Sequence, residues 1–369
     1  MKRLAATARP IRTGAALVVA VSLAACGASP TERGAGSGSD RDPYATVLGQ
    51  VKDLDGEART QKLVELARKE DKLNVYTSNT DLADQAKKFT AKYGIEVSVY
   101  RAKANQVLQR LLQETKANRS KADLYDSNAE ELAVANTEGI LRDYEGPADD
   151  DLVPAAKQKG WVGSRLNVFT VTWNTKVVKE PPRSFEDLAD KRFAGVSMME
   201  TRAFEWYMAL SQYFTRKGKT QAQVDEMFRK IAANSVGIEG NTTHAQFLTS
   251  GEHGLSTSVY NHLVDEEIEA GAPLSRTPVV EPLVVRPNGV ALLRNAKNPA
   301  SALLFMEWVL GDAQQLMVAE HRIPARADLQ KGALKGVDTV TVDIGKLVSE
   351  GDQWESRYEK IIRGTRSAN

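Results

Sequence analysis

Residues 73–100 read LNVYTSNTDLADQAKKFTAKYGIEVSVY, and the order of apolar and polar side chains in this stretch decides the fold. Apolar residues crowd together over 73–76, which predicts a short buried strand. The next apolar side chains recur at helical spacing up to a glycine, Gly94, where we expect the helix to end. A second strand follows over 95–100, so the stretch predicts a strand-helix-strand unit with parallel strands.

The remainder of the chain repeats this alternation in two series. Further strands are predicted over residues 122–126, 167–174, 196–199 and 254–260, with an extended segment over 277–285. Further helices are predicted around residues 107–112, 204–214, 221–231, 262–270, 303–310 and 314–319. We therefore expect an α/β fold of two lobes, each a mainly parallel sheet with helices on both faces, joined by two hinge crossings. Ligands of such sheets bind at the carboxyl ends of the strands, so a site is expected in the cleft between the lobes.

Polar residues at the predicted helix starts indicate local capping. Ser127 and Glu130 have capping-box spacing, and so do Thr220 and Gln223.

Composition excludes some classes of function. The chain has 369 residues, 42% of them hydrophobic, and a formal net charge of +1. This is enough apolar material for two lobes, and the near-neutral charge argues against a nucleic-acid binder. We expect a monomer that binds no nucleic acid.

The N-terminus has the anatomy of a secretory signal. A basic leader precedes a short apolar run from Gly14 to Ala25, which is shorter than the roughly 20 residues a membrane span needs. The stretch Leu23-Ala24-Ala25-Cys26 resembles a bacterial lipobox, which implies cleavage before Cys26 and lipid attachment to its thiol. An ordinary signal peptide with an incidental cysteine remains the alternative. Cys26 is the only cysteine, so a disulfide within the chain is excluded.

Residues 26–43 are rich in glycine, serine and charged side chains, which favours a flexible tether. We therefore predict a signal peptide over 1–25 and a tether over 26–43 that holds the folded part on the outer face of the cell membrane.

Several short motifs, in a fixed order from about residue 70 to 330, resemble the extracellular solute-binding proteins of bacterial ABC importers. The motifs are Leu73–Ser78, Ala122-Asp123-Leu124, Trp173-Asn174-Thr175, Ser184–Leu188, Phe193-Ala194-Gly195, Thr249–Glu252, Gly271-Ala272-Pro273, Asn298–Ala302 and Ile323–Arg326. Within that group, the resemblance is to the branch that binds ferric iron, sugar phosphates and phosphonates.

The resemblance implies a type II periplasmic-binding-protein fold that closes on a solute by hinge motion and delivers it to a membrane permease. The implied division is a first lobe over 44–172 and 283–345, a second lobe over 173–282, and a C-terminal helix and tail over 346–369. It implies no catalytic residue, no cofactor and no resident metal.

The residues expected to face the cleft carry mostly hydroxyl and amide groups. They are Ser78, Asn79, Thr80, Ser127, Asn128, Asn241, Thr242, Tyr260 and Asn261, with Arg101 and Arg202 as anion-binding forks and Trp173 as a stacking surface. These groups favour a small polar, anionic organic solute. Simple helix capping is the alternative for each Ser, Thr and Asn, lobe-core packing is the alternative for Trp173, and Glu200 leaves a cationic ligand open.

Iron-binding members of the resembled branch use a histidine, a carboxylate and two adjacent tyrosines. The matching positions here are Thr80, Asn128, Val259 and Tyr260, so only one of the four ligands is present. This argues against bare ferric iron, although Glu130 lies close to one of these positions.

Other functions remain open but have less support. The four histidines, His244, His253, His262 and His321, have no zinc-binding spacing, and we expect them on the solvated surface. An enzyme with paired carboxylates among Asp123, Asp126 and Glu200 is the rival class, yet the chain has no Gly-x-Ser-x-Gly elbow. A lipoprotein that senses the solute instead of transporting it has the same sequence features.

Overall fold

A computed structural model describes residues 42–330, 332 and 334–365. The predicted signal peptide, Cys26 and almost all of the predicted tether lie outside these residues.

Twelve α-helices and twelve strands alternate through the described part of the chain. The helices are α1 (Pro43–Val51), α2 (Gly56–Ala67), α3 (Leu82–Tyr93), α4 (Ala104–Lys116), α5 (Ala129–Thr137), α6 (Phe204–Arg216), α7 (Gln221–Asn234), α8 (Asn241–Ser250), α9 (Asn261–Glu269), α10 (Pro299–Leu310), α11 (Ala313–Ala319) and α12 (Ile344–Ile362). The strands are β1 (Leu73–Thr77), β2 (Val97–Arg101), β3 (Leu124–Asn128), β4 (Leu141–Arg142), β5 (Val162–Asn174), β6 (Ser197–Glu200), β7 (Ser235–Ile238), β8 (Leu255–Tyr260), β9 (Leu274–Ser275), β10 (Leu283–Leu293), β11 (Ile323–Pro324) and β12 (Thr339–Thr341).

Local sequence signals explain several helix ends. Gly94 closes α3 with a φ of 73°, a left-handed conformation that favours glycine. Thr220 and Gln223 form the predicted capping box of α7. The capping box predicted for α5 is wrong, because that helix begins one residue later, with Asn128 as its N-cap and no side-chain cap. The Asn128 side chain instead accepts hydrogen bonds from Arg286 and Asn288 of β10.

The sheet order is β2-β1-β3-β10-β5-β8-β6-β7. Pairing is parallel among β2, β1 and β3 at one end and among β8, β6 and β7 at the other. The α/β prediction is therefore confirmed, with one difference. The strands expected in two sheets form one continuous sheet, because β5 and β10 are long enough to pair with strands of both lobes.

Each lobe is stabilised by aromatic packing of its own. In the first lobe, Phe89 of α3 packs edge-on against Phe305 and Trp308 of α10, with ring centroids 4.9 and 5.5 Å apart. Burial of each such ring contributes about 2 kcal/mol. In the second lobe, Trp206 and Phe228 meet in the same way at 5.4 Å. The C-terminal helix α12 packs on α5 as well as on α6 and α7, so it contacts both lobes.

Candidate functional site

The carboxyl ends of two strands, β3 and β8, point toward each other and lie on the two sides of the expected cleft. The last residue of β3, Asn128, lies opposite Asn288 of β10, which in turn lies opposite Arg165 of β5. The last residue of β8, Tyr260, lies opposite Phe169 of β5. Measured along β5, the ends of β3 and β8 are thus offset by four residues, or about 13 Å. This gap between the carboxyl ends of the strands is where the sequence predicted a site.

The floor of this gap is a polar patch on one face of the sheet. Residues opposite each other in a ladder share a face, and so do alternate residues along a strand. By this rule, one face carries a set of residues that we call the cleft floor, namely Asp126 and Asn128 of β3, Arg286 and Asn288 of β10, Arg165 and Asn167 of β5, and Tyr260 of β8. The cleft floor therefore includes groups from both lobes and from both hinge strands.

Arg286 is the hub of the cleft floor. Its Nε donates to Asn288 Oδ1 at 3.1 Å, and its Nη2 donates to Asn128 Oδ1 at 3.2 Å and to the Tyr260 hydroxyl. Its Nη1 pairs with Glu205 in the first turn of α6, and both side chains are almost fully buried. One guanidinium thus joins the end of β3 in the first lobe to β8 and α6 in the second.

Arg165 organises the other side of the cleft floor. Its Nη1 lies 2.8 Å from Asp126 Oδ2, with exposed fractions of 3% and 2% for the two side chains. The other oxygen of Asp126 accepts a hydrogen bond from Thr77 at 2.9 Å, and Thr77 Oγ1 accepts one from the Asn79 backbone at 2.8 Å. A buried ion pair is maintained only when such extra hydrogen bonds satisfy it, so this chain fixes the loop that follows β1.

A third buried arginine lies beside the same loop. Arg322 pairs with Asp81 at the start of α3 and lies 3.5 Å from Thr80 Oγ1. Burial, assisted by Arg322 and Arg165, holds the pKa of His262 well below its ordinary value. This imidazole is therefore neutral and adds no charge to the cleft.

More carboxyl groups than cations lie in the part of the cleft around Arg286 and Tyr260, which we call the Arg286 side. Burial raises the pKa of Glu131 to about 7, against the lowering effect of Arg286. Burial also raises the pKa of Glu130 to about 9, with Glu131 and Glu205 adding to the rise. Glu200, at the end of β6, has its pKa raised by burial to about 7, although the backbone amides of residues 202 and 240 donate to it.

The structure brings most of the predicted site residues to the cleft. Ser78, Asn79 and Thr80 follow β1, and Ser127 and Asn128 end β3. The Ser78 and Ser127 hydroxyls are 3.3 Å apart.

The second lobe contributes residues at the starts of two helices. Asn241 and Thr242 begin α8, while Tyr260 ends β8 and Asn261 begins α9. Asn241 Oδ1 is buried without a hydrogen-bond partner.

Three predicted residues are placed differently from this group. Trp173 is 2% exposed and lies opposite Leu255, at the end of β8 remote from the cleft. Arg202 is exposed, with its guanidinium 3.4 Å from Glu355 of α12. Arg101 is exposed at the end of β2.

The central residues Arg165, Arg286 and Asn288 are missing from the sequence-based set. Arginine is almost never fully buried unless it is paired, so an Arg-x-Asn pattern inside each long apolar strand was an available signal. The predicted strands began too late, at 167, and ended too early, at 285, to include it.

The expectation of surface histidines is wrong for two of the four. His244 is fully buried, with its ring nitrogens 2.8 Å from Ser256 Oγ and 3.1 Å from the Ile238 carbonyl. Burial lowers its pKa to about 4. His262, the second, is 4% exposed, and its ring stacks on that of Tyr260.

An ion pair connects the lobes across the cleft. Lys103 Nζ, just before α4, lies 3.1 Å from Glu239 Oε1, just after β7. Across residues 42–365, excepting 331 and 333, no group of three or more His, Cys, Asp and Glu side chains is arranged to hold a metal ion. Within the same residues, no helix is both long enough and apolar enough to span a membrane.

Known proteins share this architecture. The model of the family described as "Bacterial extracellular solute-binding protein" matches residues 84–339. Iron uptake protein A1 of Synechocystis is 23% identical over 300 residues, which cover 75% of this chain and 82% of that protein.

Solved structures with the same fold include AfuA from Actinobacillus pleuropneumoniae, a periplasmic binding protein with fructose-6-phosphate bound. It has a TM-score of 0.69 and 20% identity, with 79% of this chain and 98% of that chain covered. Iron-bound HitA from Pseudomonas aeruginosa has a TM-score of 0.66 and 20% identity, with 79% and 99% covered.

The fold and the cleft therefore define a two-lobed binding protein of the periplasmic type. The chain belongs to the bacterial extracellular solute-binding protein family. As a member it binds a solute outside the cytoplasm and is not an enzyme.

Proposed function

We propose that this chain is the lipid-anchored solute-binding component of an ABC import system, and that it captures a small polar organic solute with an anionic group by closing its two lobes. The observation that carries the proposal is the position of Arg286, which bonds at once to Asn128 of the first lobe and Tyr260 of the second. A solute that contacts both ends stabilises the closed arrangement by its differential affinity for it.

The proposed contacts with the solute come from the cleft floor and the polar loops around it. They are Ser78, Asn79, Thr80, Ser127, Asn128, Asn241, Thr242, Tyr260 and Asn261, joined by Arg165, Arg286 and Asn288. Trp173 is left out because it packs in the lobe core. Arg101 and Arg202 are retained as exposed groups at the cleft edge.

The lobe boundaries remain part of this proposal. We assign 44–172 and 283–345 to the first lobe and 173–282 to the second. The junctions fall within or next to β5 and β10, the strands that pair with both halves of the sheet.

Solute capture is tested by identifying what the purified chain holds. Native mass spectrometry of the full chain should show the added mass of a bound compound. Unfolding the protein should then release a small organic compound that mass spectrometry of the released fraction identifies. Adding that compound back to the solute-free chain should raise its melting temperature. Absence of any compound that binds reversibly would contradict the proposal.

Ferric iron is the second candidate, because the relative from Synechocystis is named for iron uptake and HitA is iron-bound. Against it, Thr80, Asn128 and Val259 occupy the positions of three of the four ligands that the family resemblance implies. Ferric citrate raising the melting temperature while all organic compounds fail would favour iron.

The lipid anchor rests on the motif that ends in Cys26. Labelling cells with radioactive palmitate should mark the wild-type chain and not Cys26→Ser, and the variant should leave the membrane fraction. A labelled, membrane-bound variant would contradict the anchor.

Transport is distinguished from sensing by deleting the gene and measuring uptake of the captured solute. Transport predicts that uptake is lost, whereas sensing predicts that it is retained.

A further inference from the structure

Two kinds of buried polar atoms in the cleft have no hydrogen-bond partner: donors on one side and acceptors on the other. The three buried arginines of the cleft are each already paired with a protein carboxylate: Asp126, Glu205 and Asp81. Arg286 in particular uses Nε and both terminal nitrogens on protein partners. A solute therefore finds few cationic donors that are free to bind it. The buried atoms that remain unpaired indicate which groups the solute must supply.

On the Arg165 side, the unpaired atoms are donors. Asn79 Nδ2 and Arg165 Nε are buried without a hydrogen-bond partner, and the two side chains belong to residues that are 5% and 3% exposed. The chain of bonds through Thr77 and Asp126 holds them on the same side of the cleft floor. Buried donors cost free energy unless they are satisfied, so this side lacks an acceptor.

On the Arg286 side, the unpaired atoms are acceptors. Glu131 Oε2 and Glu205 Oε2 have no hydrogen-bond partner, and these residues are 8% and 3% exposed. Both carboxylates interact electrostatically with Arg286, which is a single cation. Burial of an excess carboxylate is costly unless a cation or proton compensates it. Without a solute a proton on Glu131 can do so, and a positively charged donor placed at the two unpaired oxygens would take over that role.

We propose that the solute is a dipolar ion: its anionic end accepts from Asn79 and Arg165, and its cationic end, an ammonium or a related N–H donor, binds at Glu131 and Glu205. The inference rests on the proposed function and adds the second charge to it. A ligand with both charges satisfies both groups of atoms at once.

Matched sets of small probes test the charge requirement. The first set is aminoethylphosphonate, ethylphosphonate and ethylamine, and the second is β-alanine, propionate and propylamine. The solute-free full chain is titrated with each probe by calorimetry, and any compound it captures from a metabolite extract is identified by mass spectrometry. We expect a captured compound that carries both an acidic group and a basic nitrogen, and a preference for the dipolar member within whichever set binds.

Two variants separate the ends of the site. Glu131→Gln keeps the shape but removes the charge, so it should weaken binding of a dipolar probe, or of the captured compound, about tenfold. It should leave an amine-free analogue nearly unchanged. Asn79→Asp replaces a donor with an acceptor and should weaken the dipolar compound and its amine-free analogue alike. Glu138→Gln, an exposed carboxylate at the end of the same helix, is the control.

The outcomes are distinguishable. Equal or tighter binding of an amine-free anion, or capture of such an anion or of ferric iron, would overturn the dipolar solute while leaving solute capture intact. If no probe binds and no compound is captured from the extract, the proposed function itself fails, and this inference fails with it.

Discussion

The guanidinium of Arg286 on β10 donates a hydrogen bond to the hydroxyl of Tyr260 at the end of β8. The two residues belong to strands that are not neighbours in the sheet, because β5 lies between them. The bond is buried against the ring of Phe169, whose centroid is 4.9 Å from that of Tyr260. It ties a hinge strand to the second lobe at the place where we expect the solute.

Tyr260→Phe removes this hydroxyl and preserves the ring packing. The free energy of unfolding should fall by about 1 kcal/mol, as for a typical buried hydrogen bond. Affinity for the captured solute should fall at least about tenfold, because a group that contacts the solute is lost. Tyr213→Phe, which removes a hydroxyl bonded to Asp338 away from the cleft, is the matched control. Calorimetry that gives equal affinities for both variants would remove Tyr260 from the site.

Arg286→Met should be strongly destabilising, because it leaves the buried Glu205 without its cation. Breaking a buried pair in this way costs about 3–5 kcal/mol. The double variant Arg286→Met/Glu205→Gln should recover part of this loss, and urea unfolding of the four proteins in the cycle measures the coupling. Strictly additive effects would show that the two side chains do not stabilise each other.

Glu200 should make the stability of the protein fall as pH rises. Burial raises its folded pKa from 4.5 to about 7, with Glu205 and Glu239 adding to the rise. The folded state thus holds a proton that the unfolded state releases between these values, so the free energy of unfolding declines across this range. The full effect is on the order of 3 kcal/mol.

Glu200→Gln should make that decline smaller while keeping an acceptor for the backbone amides of residues 202 and 240. The part that remains is expected from Glu130 and Glu131, whose pKa values burial also raises. Urea unfolding at pH 5 and pH 8 compares the two proteins. A pH dependence of the same size in Glu200→Gln and in the wild type would show that Glu200 does not contribute to it.

Lys103→Ala breaks the ion pair with Glu239 across the cleft. Both side chains are more than half exposed, so solvent screens the pair and its contribution is below about 1 kcal/mol. The solute-free variant should be slightly more open than the wild type at low salt and indistinguishable from it at high salt. Small-angle scattering at the two salt concentrations checks this, and a difference that persists at high salt would contradict it.

The sequence predicts the succession of strands and helices well because local periodicity determines it. The unit over residues 73–100 is observed as β1, α3 and β2, with the helix ending at Gly94 as predicted. The extent of the central strands was not predictable in the same way. In β5 all thirteen residues are buried, including Arg165 and Asn167, so polar residues that look like the end of a strand lie in its interior.

Pairing between strands that are distant in sequence is a second reason why the site could not be predicted from the sequence. Gly289 follows Asn288 at an irregularity between β10 and β5, where a β-carbon would lie 2.2 Å from the Val162 carbonyl oxygen. The close approach of these strands, distant in sequence, brings Arg286 and Asn288 beside Arg165. Both faces of these strands are buried, so their sequences lack the alternation of apolar and polar residues that would specify that register. Asn128 shows the same limit, because the sequence placed the start of α5 one residue too early and gave no sign of the bonds from Asn128 to β10.

The central claim is that two lobes close around a solute, and small-angle X-ray scattering on the full chain tests it most directly. The solute-free protein is measured first, and the captured compound is then added to saturation. The account predicts a smaller radius of gyration with the compound than without it, and a weaker response in Tyr260→Phe at the same concentration. An unchanged radius of gyration, with calorimetry proving that the compound is bound, would contradict capture by closure.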